Sequence, residues 1–405
     1  MAVVGIRTGG GSGVNLLALR SHNAALLLDL LRRAGRAGVS RLELAERTGL
    51  TPQAVSKITA RLREDGLVTE AGRQASTGGK PRTALRLAPE AGHAVGLQLD
   101  RDELRAVLVD LTGAVVAERR AALDLGAGAE AVLGAVVSEV RRLTEGLLSA
   151  PPPDRGGRDP SPSPSHSPSH SPSPSPSHSV SPSPSTVLGV GVAMPGPLDH
   201  THGVLQRVTG FPEWDGFPLR DALARRLGVP VVLDKDTNAA ALGLAVGGEV
   251  GAFAYLHLGT GLGAGLVLGG AVHRGTRTGA GEFGHQVIQL DGPPCPCGNR
   301  GCVEALCLTA VARGDIDEAA RVLGEGAANL VGLLDIDLVL LGGRTVAAEP
   351  ERFVRGVGAV LDARARREGA SSPVPVRIAP GGARAVAEGA AQLLLAPLFG
   401  RTHTR

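Results

Sequence analysis

Gly281-Glu282-Phe283-Gly284-His285-Gln286-Val287-Ile288-Gln289-Leu290-Asp291-Gly292-Pro293-Pro294-Cys295-Pro296-Cys297-Gly298-Asn299-Arg300-Gly301-Cys302-Val303-Glu304 is the most informative stretch of this chain. It holds three of the chain's four cysteines, one histidine and two glutamates. The spacing of His285, Cys295, Cys297 and Cys302 is H-x9-C-x-C-x4-C, one imidazole and three thiolates. That set closes a tetrahedral zinc site, and the glycines and prolines between the ligands supply the turns a zinc knuckle needs. Four protein ligands leave no open position for a water nucleophile, so the zinc is expected to be structural. The alternative is a group of free buried thiols. Cys307, just beyond, reads as a core thiol on the following helix.

The metal would order a loop that carries carboxylates. Asp236, Glu282, His285 and Glu304 are polar groups beside turns, and carboxylates paired with imidazole suit sugar hydroxyls. Asp236 follows the apolar run Val231-Val232-Leu233, a strand end of the kind at which α/β proteins bind ligands. Its competing role is a cap for the helix beginning near Asn238. Gly259-Thr260-Gly261-Leu262-Gly263-Ala264-Gly265 departs from the strict dinucleotide fingerprint, and no Walker A pattern occurs. It is either a phosphate cradle or a tight hairpin between Tyr255–Leu258 and Gly265–Leu268.

Working outward, the N-terminal quarter is different in kind. The chain carries +3 overall, but residues 1–90 hold 14 of the 42 Lys+Arg and 7 of the 39 Asp+Glu, so they carry +7 and the remainder −4. A basic head on a mildly acidic body suits nucleic acid. Ser21 to Ala34 places Leu26, Leu27, Leu30 and Leu31 on one helical face, with Gly35 as a stop. Ser40-Arg41-Leu42-Glu43 is a capping box opening a short helix, and Thr51-Pro52 reads as N-cap and first turn of the next. Val55, Ile58 and Leu62 give that second helix its buried face. The pair, joined through Thr48-Gly49-Leu50, has helix-turn-helix proportions. Thr51, Gln53, Ala54, Ser56 and Lys57 then face a major groove, with Lys57, Arg61 and Arg63 towards phosphates. Thr77-Gly78-Gly79-Lys80-Pro81-Arg82 forms the tip of a hairpin, and Lys80 and Arg82 make it a cationic wing. A plain helical bundle with a solvated basic face is the competing reading.

Between these regions the pattern is that of an α/β body. Val95–Leu99 and Leu104–Leu111 alternate like a strand pair, Glu130 to Leu148 is helical, and Val187–Met194 is a strand. Val229–Leu233, Ala252–His257 and Leu338–Leu341 alternate with the helices Thr237–Val246 and Ile316–Leu334. Residues 151–185 are a Ser-Pro-His tract with almost no apolar side chains, expected to be a disordered insertion within a domain. Its His166, His170 and His178 could hold metal weakly, but a solvated linker fits the composition better. Residues 1–13 are expected to be a disordered tail. No run reaches the ~18 apolar residues of a membrane span, no signal peptide is evident, and clustered metal-type cysteines fit a reducing cytoplasm.

Taken together these residues resemble the ROK family of repressors, open reading frames and kinases. The resemblance rests on Glu282-Phe283-Gly284-His285, on Cys295 to Cys302, and on Glu304. It extends to Ala193-Met194-Pro195-Gly196-Pro197-Leu198-Asp199, Trp214, Leu341-Gly342-Gly343, and Ser40 to Ala45 of the repressor branch. It implies a winged helix-turn-helix followed by two actin/hexokinase-like (ribonuclease H-like) α/β lobes with sugar in the cleft. It also implies that Asp236 matches the base of the kinases, and that Glu282, His285 and Glu304 match sugar contacts, with His285 bridging sugar and zinc. One departure separates the branches. Where the kinases carry Asp-x-Gly-x-Thr, this chain reads Asp100-Arg101-Asp102-Glu103-Leu104. Asp102 and Glu103 place carboxylates where ATP phosphates approach, and phosphoryl transfer depends on positioning and charge neutralisation. Lys235 stands where the family commonly has asparagine, and the segment after Glu304 reads as shortened.

The expected organisation is a winged helix-turn-helix over residues 14–89 and a sugar-kinase-like domain over 94–398, interrupted by 151–185. The expected function is a cytoplasmic, sugar-responsive repressor that binds double-stranded operator DNA as a homodimer or homotetramer. An ATP-dependent sugar kinase with a fused DNA-binding head, and a ligand-blind DNA-binding protein, are the alternatives.

Overall fold

The computed structural model describes residues 22–74, 82–149, 186–206, 208, 211–369 and 372–401. The expected tail at 1–13, the insertion at 151–185 and the wing tip with Lys80 lie outside these residues. No helix among the described residues is long and apolar enough to cross a membrane.

The chain opens with helix α1 (His22–Ala34), strand β1 (Val39–Ser40) and helices α2 (Arg41–Thr48) and α3 (Pro52–Glu64). Strands β2 (Val68–Gln74) and β3 (Arg82–Leu87) follow, paired antiparallel with β1 on the other edge of β3. The capping box forms as read: the Glu43 amide donates to Ser40 Oγ (3.3 Å) and the Ser40 amide to Glu43 Oε2 (2.9 Å). Thr51 caps α3 through the Ala54 amide (3.2 Å), and Gly49, at φ 69°, ends α2 in the left-handed region that favours glycine. Two positions depart from the sequence reading. In α1 the core takes Leu27, Leu28 and Leu31, leaving Leu26 37% exposed. In α3 Thr59 is buried and Ile58 only half-buried, because the Thr59 hydroxyl donates to the Val55 carbonyl (2.8 Å) and so enters the core satisfied.

The body consists of two lobes, each built on a five-stranded sheet. The first contains β4 (His93–Leu99), β5 (Glu103–Asp110), β6 (Val115–Ala122), α4 (Ala129–Ser149) and β7 (Val187–Met194). It continues through the short hairpin β8 (Leu198–Asp199) and β9 (Val204–Leu205), then α5 (Leu219–Leu227) and β10 (Val231–Lys235). Its strand order is β10-β7-β4-β5-β6, with β4, β7 and β10 parallel. The second lobe follows α6 (Asp236–Gly247) with β11 (Phe253–Leu258), β12 (Leu262–Leu268), β13 (Ala271–Val272), α7 (Val303–Ala312), α8 (Ile316–Leu334) and β14 (Leu338–Gly342). Then come α9 (Arg344–Ala348), α10 (Pro350–Glu368), β15 (Val376–Ile378) and α11 (Ala385–Leu395), giving the order β13-β12-β11-β14-β15. The Gly259–Gly265 run is therefore a hairpin: its turn joins β11 to β12 in register Leu258↔Leu262, and Gly263 and Gly265 sit inside a strand.

Between the sheets run α6 and α11. A side chain at Gly96 or Gly191 would strike the carbonyls of Ala387 or Ala390 on α11, and one at Gly389 would strike the Ala239 carbonyl of α6. Backbone thus lies directly on backbone, which only glycine permits. The winged helix is not tethered loosely: Leu27, Leu31, Leu44 and Leu85 share one apolar cluster with Val107 and Val109 of β5 and with Ala391, Leu395 and Phe399 near the chain's end.

Candidate functional site

The cleft between the lobes is lined by residues from six elements. Among them are Asp236, Glu282, His285 and Glu304, the four predicted polyol contacts, together with Lys235, His257, Thr260 and Asp100. Their positions follow from local structure. Asp234, buried at the end of β10, accepts from the Lys235 amide (2.8 Å) and from Asn238 Nδ2 (2.9 Å), and it pairs with Arg274 Nε at 2.7 Å. Satisfied on both oxygens, it fixes the strand-to-helix turn. Lys235 is the N-cap residue of α6 and Asp236 its first residue, so the cap reading for Asp236 does not hold. Asp236 Oδ1 accepts from the Thr237 amide (2.7 Å). Burial pushes its carboxyl above the usual range; the neighbouring His257, the Thr237 amide and Lys235 oppose this.

Glu282 precedes a single 3-10 turn, Phe283–His285. Its Oε1 accepts from Lys235 Nζ (2.9 Å), which also donates to the Ala280 carbonyl. The Lys235 side chain is 3% exposed, and its stem lies over Gly196, where a Cβ would meet it at 2.7 Å. Lys235 therefore holds Glu282 in place, a pairing that sequence reading did not foresee. Glu304, in the first turn of α7, accepts from the Leu262 amide through Oε2 (2.7 Å) and so joins α7 to β12.

His285 belongs to the cavity and to the cysteine cluster at once. The ligand atoms of His285, Cys295, Cys297 and Cys302 all lie within 4.8 Å of one another. Cys297 and Cys302 sulfurs are 3.8 Å apart, and Cys295 Sγ is 3.6 Å from His285 Nδ1. A tetrahedral ion with ~2.3 Å metal–sulfur arms needs sulfur–sulfur edges of roughly 3.8 Å, so the residues present fit such an ion. Burial pushes the Cys302 thiol up to about 12. Metal binding there must displace protons. Cys307 is buried on α7, its thiol donating to the Ala319 carbonyl (3.5 Å), as a core residue should.

His257, at the end of β11, was not singled out from sequence. It lines the cleft cavity and also an adjoining one of about 420 Å³ bounded by Gln98, Tyr255, Gly342 and Gly343. Its Nδ1 is 2.8 Å from the buried Tyr255 hydroxyl. Burial raises the Tyr255 phenol, so it stays protonated. The only available signal was the position of His257 two residues before the Gly259 turn, on a strand otherwise apolar towards the core.

The two lobes touch beside these cavities. Thr260 Oγ1 donates to Asp100 Oδ1 (3.0 Å), and Arg344 holds both oxygens of Asp102 (2.9 and 3.0 Å). That pairing holds the Asp102 carboxyl below its usual range. Glu103 is engaged by Arg105 (2.8 Å) and Arg120. The carboxylates expected to face a phosphate chain are thus already neutralised by arginines. Trp214 is buried, its Nε1 donating to the Leu125 carbonyl (2.9 Å) beneath the first lobe.

On the head, Gln53, Ser56, Lys57 and Arg61 form an exposed stripe along α3. Thr51 is exposed but its hydroxyl serves the cap, and Ala54 is half-buried. Arg63 pairs with Glu70 of β2 (3.2 Å). Arg82 opens β3.

Known proteins share this architecture. The winged helix-turn-helix DNA-binding model matches residues 26–69 and the ROK family model matches 179–313. The xylose repressor of Caldicellulosiruptor bescii is 25% identical over 350 residues, 76% of this chain and 79% of that protein. The glucokinase of Thermotoga maritima is 42% identical over 129 residues, 31% of this chain and 40% of that enzyme. In fold, a solved ROK family transcriptional regulator, a homolog of the E. coli MLC protein, superposes with a TM-score of 0.68 at 21% identity, over 94% of this chain and 96% of that one. The cleft and the head therefore lead to one assignment: this chain carries a ROK family domain over residues 179–313, with a winged helix-turn-helix at its N-terminal end.

Proposed function

We propose that this chain is a sugar-responsive transcriptional repressor. The observation that carries this reading is the convergence of Asp236, Glu282, His285 and Glu304 on one cleft in a chain that also presents the Gln53–Ser56–Lys57–Arg61 stripe. Gln53 and Ser56 read base edges in the major groove; Lys57, Arg61 and the wing residues Lys80 and Arg82 contact phosphates. Thr51 and Ala54 shape the start of the reading helix. The effector is a sugar or sugar derivative whose hydroxyls meet carboxylate oxygens that accept no hydrogen bond among the described residues. The cation held by His285, Cys295, Cys297 and Cys302 is structural zinc, which orders the loop bearing Glu282. Zinc fixes one nitrogen of His285 and leaves the other for the sugar. The winged-helix unit spans 14–89 and the cleft-bearing unit 94–398, interrupted by the Ser/Pro/His-rich insertion 151–185. The protein works in the cytoplasm as a homodimer or homotetramer on operator DNA. Names carried by relatives, among them the xylose and N-acetylglucosamine repressors, support the class.

The Arg344–Asp102 pair supports a non-catalytic role, because it fills the phosphate side of the cleft with matched charge. The kinase reading keeps one observation in its favour, Asp236 lining the cavity with its carboxyl raised by burial. Genomic fragments captured by the full chain, then titrated with the protein in the presence and absence of sugars, test the repressor. Failure to retain any fragment specifically defeats it. Sugar-dependent ADP release that Asp236→Asn abolishes would restore the enzyme.

A further inference from the structure

The helix that begins in the cleft ends against the DNA-binding head. Asp236 is the first residue of α6 and Gly247 its last, a span of roughly 18 Å at 1.5 Å per residue. At the far end, Arg32 of α1 donates from Nη2 to the Val246 carbonyl (3.3 Å). Arg401, near the chain's end, donates to the Ala245 carbonyl (3.0 Å). Both arginines meet Asp29 of α1, at 3.3 and 3.6 Å. Arg32 also lies over the Phe399 ring, 5.1 Å from its centroid. Its side chain is 12% exposed and that of Asp29 13%. Two guanidinium groups on the last carbonyls of a helix are favourable to its dipole, and low exposure protects them from screening.

The body of α6 leaves little room for absorbing a displacement. Ala239, Ala240 and Ala241 are fully buried. A Cβ at Gly265 of β12 would strike the Thr237 carbonyl, and one at Gly389 of α11 the Ala239 carbonyl. Such contacts have no rotamers to adjust, so a shift at one end moves the whole rod. We propose that α6 transmits effector occupancy to the head, and that Arg32 is the positioning residue that ties α1 to it. This rests on the reading of the cleft as an effector site. A hydroxyl bound to Asp236 biases the position of α6, the Val246 carbonyl carries that bias to Arg32, and α1 turns the recognition helix with it. The coupling counts as allostery because occupancy and DNA affinity change one another.

Hydrogen exchange of the full chain, read by mass spectrometry, tests the tie without any ligand. Arg32→Gln is expected to speed exchange at the cleft end of α6, residues 236–241, by about threefold or more. Arg33→Gln, which removes an exposed partner of Asp29, should leave that end unchanged. Change confined to residues 244–249, or none, overturns the proposal. Should Arg32→Gln fail to fold, Arg401→Gln makes the same break from the other side. A second arm measures affinity for a genomic fragment captured by the wild-type chain, with D-xylose, D-glucose or N-acetyl-D-glucosamine. The tie predicts that any sugar-induced change in wild type collapses to less than about twofold in Arg32→Gln while sugar binding persists. A preserved change overturns the tie and leaves the repressor reading standing. A wild-type chain whose DNA affinity responds to none of the sugars counts against the repressor reading, and the exchange measurement then decides the tie alone.

Discussion

The two sides of the cleft use the same residue types to opposite ends. On the side proposed to take the sugar, Asp236 and Glu304 each give one oxygen to a backbone amide, at 2.7 Å, with the second oxygen in no hydrogen bond among the described residues. On the phosphate side, Arg344 takes both oxygens of Asp102, and Glu103 lies between Arg105 and Arg120. A half-satisfied carboxylate can still bind a hydroxyl, whereas a bidentate ion pair has little left to offer a ligand. The difference teaches that carboxylate number says little about a site. What matters is how many of their oxygens the fold has already engaged.

The comparison is broken most severely by removing the metal. Chelation, or Cys302→Ser, is expected to abolish the heat of sugar binding and open residues 286–300 to protease, since structural zinc contributes on the order of 10 kcal/mol in small metal-ordered units. Metal analysis beside limited proteolysis checks this. The pH dependence has a definite sign. With burial raising Cys302 to about 12, that thiol is protonated at neutral pH and metal must displace its proton. Affinity therefore falls as pH falls, and calorimetry in buffers of different ionisation enthalpy should register proton release.

Asp236→Asn sharpens the sugar side. Losing a charge-assisted hydrogen bond costs about 1.5–3 kcal/mol, roughly a 10- to 150-fold weaker sugar isotherm. Unchanged affinity would show that the free oxygen of Asp236 is not used. Lys57→Ala lies away from both sides. It should reduce the salt slope of DNA binding by about one and leave sugar affinity untouched. The smallest effect is expected from Arg344→Ala. Its partner Asp102 is 60% exposed, and pairs of that exposure contribute only about 0–1 kcal/mol. Chemical denaturation should move little, and on the proposed non-catalytic reading ADP release with any sugar should stay at background.

Much of the cleft was legible because its parts are close in sequence. His285 and the three cysteines occupy one short loop, so ligand spacing alone indicates a metal site. Ser40 with Glu43, and Thr51 with Pro52, declare helix starts three residues or fewer apart. His257 was missed because a lone histidine on an apolar strand carries no spacing signal; its role as a wall between two cavities exists only once β11 meets the other lobe. Leu26 was misplaced and Leu28 overlooked because a run of leucines is compatible with two neighbouring stripes, and packing against β3 and the chain's end chose between them.

By itself the sequence determined most of the elements, the His/Cys quartet whose ligand atoms gather within 4.8 Å, the basic helix-turn-helix and the four polar groups that meet in the cleft. Each depends on interactions spanning a few residues, where periodicity and turn chemistry leave few alternatives. Only the tertiary structure decided that Lys235 holds Glu282 across 47 positions, that Arg32 reaches the Val246 carbonyl across 214, and that Arg344 closes on Asp102 across 242. A chain with 42 basic and 39 acidic residues offers far more ion pairs than it forms. Which of them form is settled by the approach of two lobes and a head, not by any local rule.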